Sequence, residues 1–297
     1  MKKIFLVIIL FALSMCDKID YPYIEQNSQS ADRVVLIEKY TGHKCSNCPD
    51  ASRKIDELKF LYKDAIIPIA IHPGGLPEFT STDNNYPYDF TTTSGSQIAE
   101  DMGASFLPLG SVNRIQGDFG RCFIKDQWAT EIEKLLFDSQ GNPLPKEIEI
   151  EINSNLSGKN LLIESNLNKI EDFNTNLKYC LVVIEDSIIS PQVDGENYVS
   201  EYIHNYVYRF SVNSTYGEII QFNNDVWSTS NEVSFNTSSN NNWDNNWNNF
   251  QNCYVVGYTN CIEQELADII NSENLELDKK ILINSKQIMK DNINVIW

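Results

Sequence analysis

Apolar positions along this chain recur at two periods, and the change from one to the other happens once. In the first half, short β-branched runs alternate with stretches of helical spacing. Val34–Glu38 reads as a strand, Asp50–Tyr62 as a helix with Ile55, Leu58 and Leu61/Tyr62 on one face, and Ala65–His72 as a second strand. Ser96–Met102 fits a short helix. Ser111–Arg114 opens a third strand, and Asp126–Phe137 fits a helix that aligns Trp128, Ile132 and Leu135/Leu136. Alternation of this kind predicts an α/β domain around a central sheet. The turn-rich stretch Gln140-Gly141-Asn142-Pro143-Leu144-Pro145 reads as a linker. Beyond it Glu147–Ile152 alternates strictly, and Leu161–Asn166, Leu177–Glu185, Tyr202–Phe210 and Cys253–Tyr258 also read as strands. Repeated strands with polar punctuation predict an antiparallel, immunoglobulin-like β-sandwich. Period two through Tyr202–Phe210 puts Tyr202, His204, Tyr206, Tyr208 and Phe210 on one face, as a packed aromatic ladder. Glu263–Ile270 fits a short helix. Ser238–Asn252 is Asn-rich and reads as a loop, whose Trp243, Trp247 and Phe250 either pin it to its own domain or stack on a sugar or partner.

The N-terminus has the pattern of an export signal. Lys2 and Lys3 precede an apolar run from Ile4 to Leu13, too short to span a bilayer, and Cys16 follows. Leu13-Ser14-Met15-Cys16 resembles a lipoprotein signal, with Cys16 as the acylated residue that anchors the chain to a membrane. The expected organisation is a signal peptide over 1–15, a polar tether over 16–30, an α/β domain over 31–142 and a β-sandwich domain over 143–297. Cleavage before Cys16 would remove Lys2 and Lys3 and take the formal net charge from −18 to −20. So acidic a body repels nucleic acid and anionic surfaces, and no nucleic-acid motif opposes that reading.

Export permits disulfides. Six cysteines remain after Cys16, and only Cys45 and Cys48 have a diagnostic spacing. Cys180 lies in an apolar run and reads as a core residue. If Cys253 and Cys261 share one strand they lie ~26 Å apart, too far to bridge. The partners of Cys122, Cys180, Cys253 and Cys261 stay open. Zinc would need His43 and His72 beside the Cys pair. With no second Cys-x-x-Cys, neither a metal nor another cofactor is expected.

Thr41-Gly42-His43-Lys44-Cys45-Ser46-Asn47-Cys48-Pro49 is the stretch that names a chemistry. A Cys-x-x-Cys at a strand-to-helix turn suits thiol–disulfide exchange, because the helix N-terminus favours a thiolate. Cys45 would attack and Cys48 would resolve, with His43 and Lys44 either adding local positive charge or facing solvent. Downstream, Phe106-Leu107-Pro108-Leu109-Gly110 precedes a strand. That order resembles the thioredoxin fold, which implies that Pro108 is a cis-proline shaping a groove beside the sulfurs. Redox thioredoxins carry Trp before the first cysteine and Gly-Pro between the pair. Here Lys44 and Ser46-Asn47 occupy those positions.

Leu36-Ile37-Glu38-Lys39-Tyr40-Thr41-Gly42 leading into the Cys motif, Pro108 followed by Val112-Asn113-Arg114, His204-Asn205 with Val207, Arg209 and Gly217, and Val255-Val256-Gly257-Tyr258 together resemble the 28-kilodalton outer-membrane lipoprotein family of Gram-negative anaerobes. The resemblance implies an outer-membrane lipoprotein with a thioredoxin-like domain and a β-sandwich. Two functions fit. One is membrane-tethered exchange with the thiols or disulfides of envelope proteins. The other is a non-enzymatic envelope or surface protein in which the Cys45–Cys48 bond is a staple.

Overall fold

The computed structural model describes residues 31–158, 160–172, 176–234, 250–261, 285–288 and 294–296. The expected signal segment, Cys16, the tether, Trp243, Trp247 and the helix expected over Glu263–Ile270 lie outside the described residues.

One long sheet organises the molecule. β1 (Val35–Tyr40) pairs in parallel with β2 (Ile66–Ile71) and antiparallel with β3 (Leu109–Val112). β6 (Leu177–Glu185) pairs antiparallel with β9 (Val207–Ser211) and β12 (Cys253–Cys261), and β12 with β13 (Ser285–Ile288). Ala70 of β2 meets Val207 of β9, which joins the two sets in the order β13-β12-β6-β9-β2-β1-β3. Short β10 (Glu218–Ile219) pairs β6. Strands from both sides of the expected boundary at 142/143 therefore share this sheet.

Its faces are covered in three ways. Leu36, Tyr40, Ile67, Ile69, Val182, Ile184 and Val256 meet α3 (Thr93–Asp101) through Ile98 and Ala99. Thr92 caps that helix by accepting from Gly95 N–H. On the opposite side, Val35, Ile37 and Val112 meet α1 (Cys48–Tyr62) and α4 (Trp128–Leu136), with Trp128 fully buried. Farther along, β4 (Ile148–Ser157) and β5 (Asn160–Lys169) lay Ile148, Ile150, Ile152, Ile163 and Leu167 on Tyr179, Leu181, Val183 and Val255. Their sheet, in the order β11-β5-β4-β14, also includes β11 (Val226–Ser234) and β14 (Asn294–Ile296). The strict alternation of Glu147–Ile152 is this buried face against solvent. The chain is mostly β, and two sheets pack face to face as in a sandwich. No helix among the described residues is long and apolar enough to cross a membrane.

Two strand expectations are corrected. Tyr202–Phe210 is not one strand. It divides into β8 (Asn197–His204), which among the described residues pairs only with β7 (Ile188–Asp194), and β9 in the long sheet. Tyr206 between them has φ 61° and donates its N–H to Asp186 Oδ1, so a continuous strand and a single aromatic face are impossible there. Likewise Asn113 and Arg114 leave β3 with φ 46° and 52°. Asn113 Oδ1 then accepts from Leu36 N–H, and Arg114 turns inward onto Glu38.

Gly217 has φ 79°, and a Cβ there would lie 2.3 Å from the Tyr179 carbonyl oxygen. Gly217→Ala is expected to cost about 1–3 kcal/mol. Thermal unfolding against wild type checks this, and an unchanged midpoint would refute it.

Candidate functional site

β1 is buried on both faces and carries the chain into the loop 41–47. Cys45 N–H donates to Gly42 C=O at 3.1 Å and Cys48 N–H to Cys45 C=O at 3.2 Å. Gly42 is required by contact: a Cβ there would lie 2.6 Å from Phe79 O, in the short helix α2 (Pro77–Thr80). Pro49 stands in the first turn of α1, where its missing N–H has no intrahelical partner to lose. Cys45 and Cys48 form a disulfide at the N-terminus of this helix.

Pro108 approaches from the neighbouring strand. Tyr40 of β1 is opposite Leu109 of β3, so Pro108 comes beside the start of the loop. The Leu107–Pro108 peptide is cis. Leu107 and Leu109 belong to the same apolar cluster as both cysteines.

Neither sulfur-bearing residue is at the surface: Cys45 is 2% exposed and Cys48 1%. Part of the cover comes from the β7–β8 hairpin, far along the chain. Val193 N–H donates to His43 C=O and Gly195 N–H to Ser46 C=O, both at 2.9 Å. The Gln192 side-chain amide donates to the Gly42 and Cys45 carbonyls, each at 3.2 Å. Asp194 pairs with Arg53 of α1 at 2.9 Å.

His43 and Lys44 do not play the electrostatic part expected of them. His43 is buried, stacks on Tyr86 at 5.1 Å and places Nε2 3.0 Å from Ser81 O. Burial lowers its pKa despite the Ser81 carbonyl, so the ring is neutral at pH 7 and adds no positive charge beside Cys45. Lys44 is engaged with Asp83 at 2.8 Å and lies over the Tyr86 ring. Neither residue simply faces solvent.

Behind the loop lies a cavity of about 50 Å³. Lys39, Ser52, Asp56, His72, Gln192 and Tyr202 are among its walls. Lys39 Nζ donates to Ser52 Oγ at 2.6 Å, and Ser52 Oγ to Cys48 C=O at 3.2 Å. Burial pulls the Lys39 pKa down to about 8, partly offset by Asp56. All three histidines of the chain gather on one ring: Phe90 lies 4.7 Å from His72, 4.7 Å from His204 and 5.9 Å from His43. Sequence reasoning grouped His43 and His72 only as possible zinc ligands beside the Cys pair, read His204 as part of an aromatic ladder, and missed Gln192 and Lys39. Only the fold brings them together, and no spacing announces it.

Cys180 is a buried free thiol, as is Cys122, whose Sγ donates to Met102 C=O; Cys253 is buried as well. Among the described residues no group of three or more His, Cys, Asp or Glu is placed to hold a metal ion.

No curated protein sequence matches the chain. Among solved structures it is similar to HBP35 of Porphyromonas gingivalis, with a TM-score of 0.62 and 15% identity over 89% of this chain and 77% of that one. That likeness is one of fold. A protein from Agrobacterium tumefaciens aligns with a TM-score of 0.45 and 11% identity over 87% of this chain and 95% of its own. The family model for outer membrane protein Omp28 matches residues 95–279, a span that begins after the Cys pair and takes in Pro108, Arg114, the hairpin and Gly217. Since that span is more than half of the chain, the protein belongs to the Omp28 family of outer membrane proteins and is an exported, outer-membrane-associated protein.

Proposed function

We propose that this protein is a membrane-tethered thiol–disulfide exchange protein of the cell envelope, working through Cys45 and Cys48. The observation that carries the reading is the disulfide at the strand-to-helix turn, with Pro108 beside it just before the adjacent strand. Parallel β1 and β2, antiparallel β3 and helices on both faces support calling this part thioredoxin-like. Cys45, as the first cysteine, attacks a partner's disulfide or is attacked by its thiolate. Cys48, in the first turn of α1, resolves the mixed disulfide. Pro108 shapes the surface where the partner lies. Cys16 carries the lipid that holds the mature chain to the membrane, and the client is an envelope protein thiol or disulfide. No cofactor is required for this chemistry.

A second reading is favoured by one observation, the near-complete burial of both cysteines. An inert, buried pair is a structural staple, and binding then resides in the sandwich and its loops. The reduction potential of the pair separates the two. Equilibration with glutathione buffers is expected to give a value in the range of exchange proteins, above roughly −270 mV. Cys48→Ala is then expected to trap mixed disulfides on Cys45. A potential below roughly −300 mV would leave the staple reading in its place.

A further inference from the structure

The β7–β8 hairpin is built unlike the strands around it. Among the described residues it forms a two-stranded sheet of its own and pairs with neither large sheet. Its two ends pass through Ser187 and Tyr206, which have φ of 60° and 61°. Non-glycine residues hold such a backbone only where their surroundings enforce it, and such positions cluster at switch regions. The neck is tied by Ser187 N–H donating to Asn205 Oδ1 and Tyr206 N–H to Asp186 Oδ1.

Its attachment to the Cys loop is local and polar. There and at α1 it consists of two backbone hydrogen bonds, the Gln192 amide on two carbonyls, and the partly exposed Arg53–Asp194 pair; away from the Cys loop, Ile188 and His204 pack on Phe90, and Tyr198 meets Tyr86 and donates to Asn85 C=O. The seam beneath is imperfectly packed. It contains the 50 Å³ cavity, and His72 in its wall has no hydrogen-bond partner on either ring nitrogen among the described residues. Where the hairpin meets the Cys loop, a polar seam beside a void has less dispersion and apolar burial to lose on opening than a close-packed one. On the outside, Ile189 and Ile203 are opposite each other in the hairpin and both are exposed.

We propose that this hairpin is a strap that closes the disulfide off from partner thiols, and that exchange proceeds from a strap-lifted state. The proposal rests on the exchange reading above and reconciles it with the burial of the pair. In the lifted state an incoming thiolate attacks Cys45 Sγ. A bond forms between the incoming sulfur and Cys45 as the Cys45–Cys48 bond breaks, and Cys48 leaves as a thiolate that takes a proton from water. A second thiolate of the same dithiol then displaces Cys45 from the mixed disulfide. The dithiol is oxidised by two electrons and the Cys pair is reduced.

The test is the second-order rate of reduction of the oxidised full chain by dithiothreitol, followed by thiol release. The double variant Gln192→Ala/Asp194→Ala removes the amide bonds and the ion pair. It is expected to react roughly tenfold faster than wild type. Arg53→Ala, an exposed change that leaves the fold intact, is expected to react roughly twofold faster. Ile163→Val destabilises the far sheet and controls for global opening; its rate is expected to stay at the wild-type value. Equal rates in wild type, the double variant and Arg53→Ala would overturn the strap, as would equal acceleration by Ile163→Val. A pair too reducing to be turned over would remove the exchange reading while leaving the rate effect of the strap in place, so the two failures are distinguishable.

Discussion

Glu38→Ala is expected to cost about 3–5 kcal/mol of folding free energy, the range found when one partner of a buried ion pair is removed. Glu38 and Arg114 have side chains only 1% exposed. The carboxylate accepts from Arg114 Nε at 2.8 Å, from Arg114 Nη2 at 2.6 Å and from Ser111 Oγ at 2.9 Å. Arg114 Nη2 also donates to Tyr258 Oη at 2.8 Å. One carboxylate thus ties β1 to the turn after β3, and through Arg114 to β12 on the other side of the expected linker. Its removal leaves a guanidinium charge in the core with no anion beside it, and water cannot reach it without opening the sheet. Urea unfolding followed by tryptophan fluorescence measures the loss. Glu38→Leu/Arg114→Met, which removes both charges and keeps apolar volume, is expected to recover most of it. A loss below about 1 kcal/mol in Glu38→Ala would mean that the guanidinium is hydrated and the network is not closed.

The same network shows what the sequence could and could not disclose. Asn113 and Arg114 are part of the family resemblance, and so are Asn205, Arg209 and Gly217. Each proves to hold a backbone or charge in place: Asn113 on Leu36, Asn205 on Ser187, Arg209 on the buried Glu185, and Gly217 against Tyr179. Motif comparison marked these positions without giving them a task, because each task is set by a partner distant in sequence. Local signals were legible where the cause is local. The Cys45–Cys48 turn is written in the β-branched run before it and Pro49 after it. The buried faces of β4 and β5 are written in their period. The hairpin was illegible because Tyr202–Phe210 alternates smoothly through Asn205-Tyr206, and nothing there signals a left-handed residue. For the same reason the burial of the Cys pair could not be foreseen. Its cover comes from Gln192, Val193 and Gly195, about 150 residues along the chain, and accessibility, unlike helix position, is not a local property.

Acidification from pH 6.5 to pH 5 is expected to remove about 3 kcal/mol of stability, from two histidines whose slopes rise toward about 1.36 kcal/mol per pH unit each as the unfolded chain protonates. His72 and His204 are buried beside Phe90. Burial, then the neighbouring His204, holds the His72 pKa well below its ordinary value. Burial pulls His204 down to about 3, against the opposing effect of the Ser190 carbonyl. The folded protein keeps both rings neutral, whereas the unfolded chain protonates them near the ordinary value of about 6.5. As pH falls through that value the unfolded state binds more protons, so the stability is complete about a unit above 6.5 and is lost as pH falls toward the folded values. His43, also lowered, acts in the same sense. Asp56 and Asp186 are raised by burial and act in the opposite sense, but from the carboxylate range, at the acid end of this window. Lys39, across the cavity, changes charge only near pH 8 and above. Urea unfolding at pH 7, 6 and 5 gives the slope. His72→Phe keeps an aromatic ring against Phe90 and removes one titrating group, so it is expected to halve the slope. A flat profile in wild type would mean that the cavity admits enough water to protonate both rings in the folded state. The cavity beside the hairpin would then be hydrated in the folded protein.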